Sequence, residues 1–140
     1  MIPKKTKFVN SFRVNCYKKP KGCKKLDYHS FGVRALSHGR IKSNSISAAL
    51  LTMKQYLRAN GEKNFKIISR IFPHFPYTKK PLQTRMGGGK GNVEGFYAQV
   101  REGMIIFEIE ANDEKIARNA ARLGLSKLPI SGIFQQNNEN

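Results

Sequence analysis

The run Arg85-Met86-Gly87-Gly88-Gly89-Lys90-Gly91-Asn92 is the densest concentration of chemistry-bearing residues in this sequence. Glycines let a backbone approach phosphates closely and take positive φ without steric cost, and the flanking cations supply charge. Two nucleotide-binding chemistries can be tested by spacing alone. A phosphate-cradling P-loop needs G-x-x-x-x-G-K-[ST] running straight into a helix, whereas Lys90 is followed by Gly91, Asn92 and a strand-like stretch. A dinucleotide fingerprint needs G-x-G-x-x-G between a strand and a helix, and Gly87, Gly89 and Gly91 have neither that spacing nor that context. What remains is a glycine loop that threads into folded RNA, with Lys79, Lys80, Arg85 and Lys90 as its charge. The plain alternative is a flexible connector.

Other catalytic or metal chemistry finds little support. His29, His38 and His74 are scattered, no H-E-x-x-H occurs, and the acids cluster towards the C-terminus. Glu108 and Glu110 alternate on one face of a strand-like segment and read as solvated. Cys16 and Cys23 form a single C-x6-C pair, which cannot complete a tetrahedral zinc site without help from a residue such as His29; the simpler reading is two reduced thiols. The expectation is no enzyme, no metal and no cofactor.

Charge points the same way. The 140 residues carry 26 Lys and Arg against 9 Asp and Glu, a net +17. Residues 1–91 hold +19 of this with only Asp27 and Glu62 as acids, while residues 92–140 balance to −2. A chain so basic repels itself, and a polyanion that sheds condensed counterions on binding relieves the repulsion, so nucleic acid leads the candidate partners. No stretch approaches the roughly 20 apolar residues of a membrane span, and no membrane partner is expected. The first residues lack the apolar core of a secretory signal and the Arg/Ser pattern of a transit peptide, so the chain is expected to work where it is made. Residues with AT-rich codons (Phe, Tyr, Met, Ile, Asn, Lys) are abundant, in keeping with a compact genome such as an organelle's.

These features must be positioned by one domain with tails. Residues 1–27 read as a basic irregular arm: Lys4, Lys5, Lys7, Arg13 and five further lysines are broken by Pro3, Pro20 and Gly22, too polar to order themselves. Phe8, Phe12 and Tyr17 are interleaved with the charges, placed either to stack on bases or to staple the arm to the domain. In the domain, residues 28–134, Tyr28 to Leu36 alternates as a strand ended by Gly39. Ile46, Ala49, Leu50, Met53 and Leu57 recur at helical spacing, with Ser43 or Ser45 as cap and Asn60-Gly61 as stop. Lys54 and Arg58 fall on the opposite face and read as solvated. Phe65 to Phe72 is strand-like. Pro73 to Asn92 then loses all pattern, and Pro73, Pro76 and Pro81 predict a long functional loop without regular structure. Val93–Arg101 and Met104–Ala111 predict a hairpin across Glu102-Gly103, with Phe96, Ala98 and Val100 facing Ile105, Phe107 and Ile109. A second helix is capped by Asn112, with Ile116, Ala120 and Leu123 on its buried face, and Ile130 to Phe134 returns as a last strand. Residues 135–140 form a polar tail. The fold class expected is α+β, two helices on an antiparallel sheet.

The glycine run carries a resemblance as well as chemistry. Arg85 to Gly91 followed by Asn92-Val93-Glu94-Gly95-Phe96 resembles the signature of the bacterial ribosomal protein L-sixteen family. Lys66-Ile67-Ile68-Ser69-Arg70-Ile71-Phe72-Pro73 and Thr78-Lys79-Lys80-Pro81 upstream continue it. So do Phe107-Glu108-Ile109, Ala117-Arg118 and Lys127-Leu128-Pro129-Ile130 downstream, and Phe31-Gly32, Ala35-Leu36, Gly39-Arg40 and Pro3 to Phe8 extend it backward, so that it covers Pro3 to about Phe134.

The resemblance implies a structural constituent of the large ribosomal subunit that binds its rRNA near the A-site tRNA path and the peptidyl-transferase centre, supporting assembly and tRNA accommodation. Its partners would be large-subunit rRNA, A-site tRNA and neighbouring large-subunit proteins. The residues expected to touch RNA are Lys4, Lys5, Lys7, Phe8 and Arg13 in the arm; Arg34, Arg40 and Arg70 in the domain; Lys79, Lys80, Arg85, Met86, Gly87, Gly89, Lys90, Gly91 and Asn92 around the loop; and Lys127 after the second helix. Two departures matter: bacterial members usually carry a basic residue where Gly88 stands, and their arm is Gly-rich where this one is Lys-rich. Gly95 before Phe96 looks more like mitochondrial members. With the composition, this favours a mitochondrial, organelle-encoded protein of the matrix ribosome, with a bacterial cytoplasm or a plastid as the alternative. A free-standing RNA-binding or RNA-chaperone protein is the alternative function.

Overall fold

The computed structural model describes residues 1–8, 10–12, 15–26 and 31–137. The expected arm contact at Arg13, the strand start at Tyr28, the metal option at His29 and the end of the polar tail lie outside the described residues.

Among the described residues seven strands and two helices form an α+β fold, in the order β1 (Phe31–Ala35), β2 (Gly39–Lys42), α1 (Ser43–Ala59), β3 (Lys66–Ser69), β4 (Phe75–Lys79), β5 (Asn92–Val100), β6 (Ile105–Glu110), α2 (Glu114–Leu125) and β7 (Gly132–Gln136). They make two antiparallel sheets, a four-stranded one ordered β3-β6-β1-β7 and a three-stranded one ordered β2-β5-β4.

Helix α1 follows its periodicity. Ile46, Ala49, Met53 and Leu57 have no solvent exposure, and burying an Ile, Leu or Met side chain contributes roughly 1.5–3 kcal/mol. Asn60 ends the helix, its side chain donating to the Tyr56 carbonyl, and Gly61 follows at φ 79°. Neither serine caps the start: Lys42 holds the cap position without a side-chain bond, and Ser43 is already helical and buried.

Helix α2 is rotated from its expected face. Ala117, Ala120, Ala121 and Gly124 are buried, while Leu123 is exposed. The cause lies across the interface, where a Cβ on Gly124 would come within 2.7 Å of Met53 Cγ and Sδ. The bulky α1 needs hollows, and small residues provide them. The cap is Asp113, which accepts from the Lys115 N–H at 2.9 Å, rather than Asn112, whose amide donates instead to Glu62 Oε2 at 3.2 Å.

Four further expectations are corrected. Gly39 opens strand β2 instead of ending a segment. Strand β4 lies inside the stretch read as patternless, with Pro76 opposite Phe96; β4 is the edge of its sheet, where a residue lacking an N–H is tolerated. β5 and β6 do not pair: the Arg101–Met104 turn forms, with Met104 N–H donating to Arg101 O and Gly103 at φ 84°, but it hands the chain from one sheet to the other. Each strand already has neighbours on both sides, β2 and β4 for one, β1 and β3 for the other. Finally, Glu108 is fully buried, because β6 is central and covered on both faces. Its carboxylate Oε1 lies 3.4 Å from Arg70 Nε.

The described part of the arm contains no helix or strand, yet it is partly tied down. Cys16, Pro20 and Leu26 are buried, the Cys23 carbonyl accepts from Ile105 N–H at 2.8 Å, and Leu26 lies where a Cβ on Gly32 would have to be. Among the described residues no three His, Cys, Asp or Glu side chains gather, and no helix is long and apolar enough to cross a membrane.

Candidate nucleic-acid interface

Strands β4 and β5 are the two arms of a hairpin, with Lys79 opposite Asn92, and residues 80–91 form the loop that closes it. The loop has shape without packing. Thr84 donates both its N–H and its hydroxyl to the Pro81 carbonyl, making a tight turn through Gln83 at φ 66°. Lys80 Nζ donates across the loop to the Gly87 carbonyl. Gly87, Gly88 and Gly89 then stand in succession at φ 104°, 70° and 75°, with nothing within 4 Å of where a Cβ would sit. Their requirement is therefore conformational: three consecutive left-handed residues are inexpensive only as glycine. Gly91 is needed for a different reason, since a Cβ there would lie 2.6 Å from the Lys79 carbonyl oxygen, inside the mouth of the hairpin.

Every residue from Lys79 to Lys90 is exposed, and Met86 and Leu82 are almost wholly so. Among the described residues nothing covers these apolar side chains at the tip of the cationic loop. The nearest acid, Glu94, lies 3.5 Å from Lys79 Nζ, but both side chains are well solvated and such a pair is worth little. Lys80 turns its ammonium to the Gly87 carbonyl, while Arg85 and Lys90 are exposed.

The hairpin also carries the outer face of the three-stranded sheet. By register, Arg40 and Lys42 on β2 share a face with Gly95, Tyr97 and Gln99 on β5 and Phe75 and Tyr77 on β4. Arg40 Cζ sits 5.7 Å from the Tyr97 ring centre and Lys42 Nζ 5.4 Å from that of Tyr77. Phe75 and Tyr97 stack at 5.6 Å. Tyr77 lies across bare Gly95, where a Cβ would meet its ring at about 3 Å. The opposite face, with Ile41, Ala98 and Val100, enters the core.

The sequence-expected contacts are thus distributed unevenly. Lys79, Lys80, Arg85, Met86, Gly87, Gly89, Lys90, Gly91 and Asn92 are brought together at the end of the hairpin, and Arg40 joins them through the sheet face. Lys4, Lys5, Lys7 and Phe8 are exposed on the arm, with Lys7 Nζ 5.5 Å from the Phe8 ring centre. Arg34 donates to the Lys24 carbonyl at 3.2 Å and so helps hold the arm. Arg70 is committed to Glu108. Lys127 sits in the turn after α2, its N–H bonded to the Gly124 carbonyl.

Sequence reasoning missed Lys42, Tyr77 and Tyr97; the aromatic alternation of Phe75 and Tyr77 was a strand signal hidden by Pro76. Lys54 and Arg58 are exposed, as the reading of a solvated face expected, and with Lys63 and Lys66 they line one groove beside buried Glu62. The i, i+4 spacing of Lys54 and Arg58 was visible, but their convergence with the residues after α1 was not.

A family model described as ribosomal protein L16p/L10e matches residues 3–134. The large ribosomal subunit protein uL16 of Mycoplasma capricolum subsp. capricolum is 43% identical over 138 residues, covering 99% of this chain and 98% of that protein. The proteins of the same name from Mesoplasma florum and Staphylococcus aureus (strain Newman) are each 39% identical over 139 residues, covering 99% of this chain and 98% and 94% of their own lengths.

Proposed function

This chain belongs to the ribosomal protein L16p/L10e family and is a structural, non-enzymatic constituent of the large ribosomal subunit, and we propose that within that subunit its glycine hairpin is the element that enters folded rRNA. The observation that carries this is the loop itself, three successive left-handed glycines between Arg85 and Lys90 at the unpacked end of a hairpin. Such a backbone passes where a chain bearing Cβ atoms cannot, and the flanking cations meet phosphates on arrival. The arm lysines and Arg40 extend the same electrostatic surface.

The proposed binding partner is large-subunit rRNA beside the A-site tRNA path and the peptidyl-transferase centre, with neighbouring large-subunit proteins around it. The protein's work there is to neutralise phosphates, order rRNA helices during assembly and assist tRNA accommodation. The alternative, a free-standing RNA binder, predicts different behaviour under salt. Sedimentation of cell extracts tests both: the chain is expected to stay with the large particle in salt that strips loosely bound proteins, and its release into the free pool would refute the ribosomal role.

The ribosome proposed is of bacterial type. The bacterial relatives support a bacterial cytoplasm; Gly95 and the AT-codon composition support a mitochondrion. Fractionation of the source cells with detection of the tagged chain separates these compartments.

A further inference from the structure

The outer face of the three-stranded sheet does not simply face solvent. The arm crosses near it, and between them lies a groove of about 630 Å³, bounded by Phe12 from the arm, Arg40 and Lys42 from β2, Tyr77 from β4, Tyr97 from β5 and Lys90 from the glycine loop. Its volume falls in the ~300–1,000 Å³ range of small-ligand sites. Three features of its walls narrow the occupant.

Among the described residues the groove is lined by three cations and no carboxylate, so it selects an anion. Phe12, Tyr77 and Tyr97 make up half of its remaining lining, beside Ser11, Pro76 and Thr78, and Phe12 is 95% exposed, a cost in water that stacking against a planar partner would remove. Two of the cations already lie over rings, Arg40 over Tyr97 and Lys42 over Tyr77, at 5.7 and 5.4 Å, which presents charge and flat apolar surface side by side. An occupant that is both anionic and planar, offered by the polyanion this chain is built to meet, is a nucleotide whose base is out of its helix.

We propose that this groove holds one unpaired nucleotide of the large-subunit rRNA, its base stacked on Phe12 and Tyr77 and its phosphate among Arg40, Lys42 and Lys90. The site couples the arm to the glycine loop, because Phe12 and Lys90 come from those two segments. It rests on the rRNA-binding reading above, and the test separates the two.

The probe is a protein-free transcript of the large-subunit rRNA, titrated with the full chain at several salt concentrations and cross-linked by ultraviolet light. Phe12 is the first residue to change, since a side chain so exposed contributes nothing to the core. Phe12→Leu is expected to weaken binding about tenfold with the salt slope unchanged, as loss of one base stack does. Lys42→Gln is expected to lower the salt slope by about one, as loss of one phosphate contact does. Cross-linked nucleotide should be recovered on Tyr77 or Tyr97. Wild-type binding with steep salt dependence, but with Phe12→Leu indistinguishable from it and no nucleotide on either tyrosine, would overturn the nucleotide site and leave the rRNA reading standing. A cross-link from Tyr77 to a neighbouring protein in the intact subunit would overturn it too. Absence of salt-dependent binding by the wild type would remove the rRNA reading and this site together.

Discussion

Arg70 Nε lies 3.4 Å from Glu108 Oε1, with the glutamate side chain wholly buried and that of the arginine 15% exposed. Glu108 sits on central strand β6 between Ile68 of β3 and Gly32 of β1. A carboxylate taken out of water at that position is held by its partners, and removing one of them weakens that hold. The pair thus joins the end of β3 to the centre of the sheet, and Arg70 is foremost a structural residue.

Arg70→Ala is therefore expected to destabilise the isolated protein by about 1–3 kcal/mol, the usual cost of removing one partner from a buried hydrogen-bonding group. Denaturant unfolding followed by circular dichroism measures this. Arg70→Ala unfolding at the wild-type midpoint, with weakened rRNA binding, would instead make Arg70 an RNA contact.

Binding to rRNA should fall steeply with salt, since residues 1–91 carry +19. With about six phosphate contacts, raising salt from about 50 to 200 mM should lower affinity roughly 10³-fold. Filter binding over a salt series reads the slope directly, and a flat response would sink the electrostatic account.

The glycine loop should be more sensitive to shape than to charge. Gly89→Val forces a β-branched residue to φ 75°, and it is expected to impair large-subunit yield and A-site tRNA accommodation at least as much as Arg85→Ala, though it alters no charge. Gly89 has open space around it, so the free protein should lose stability only through the backbone strain of a β-branched residue at positive φ, about 1–3 kcal/mol at most. Gly91→Val should lower stability by a different route, because its Cβ strikes the Lys79 backbone. Subunit yields from cells expressing each variant, with melting curves of the free proteins, distinguish these outcomes; wild-type yields with Gly89→Val would make the loop a mere connector.

Limited trypsin digestion of the free protein should cut first at Arg85 and Lys90, which are exposed and lie outside any strand or helix. Lys24 and Lys25 should resist longer despite belonging to the basic arm, because Cys23 pairs with Ile105 and Leu26 is buried. Assembly into the particle is expected to protect the loop sites. Equal cutting at Lys25 and Arg85 would show that the second half of the arm is not held.

The sequence by itself determined the features whose cause is local. The periodicity of Ile46, Ala49, Met53 and Leu57 defines the buried face of α1, Asn60-Gly61 ends it, and the Arg85–Gly91 run announces a cationic glycine loop and the family it belongs to. Neighbours in sequence supply those signals, so no distant contact is needed to read them. Tertiary structure decided what depends on partners far along the chain. β5 and β6 look like a hairpin because they are adjacent and apolar, yet ladder bonds to β2, β4, β1 and β3 occupy both edges of each, and the turn between them becomes a crossing from sheet to sheet. Pro76 suggests a break until β4 is known to be an edge. Glu108 looks solvated until Arg70 arrives from another strand's end, and Leu123 looks buried until Met53 claims the space beside Gly124. The groove beneath Phe12 has the same origin: its walls come from the arm, three strands and the loop, and only folding brings them to one place.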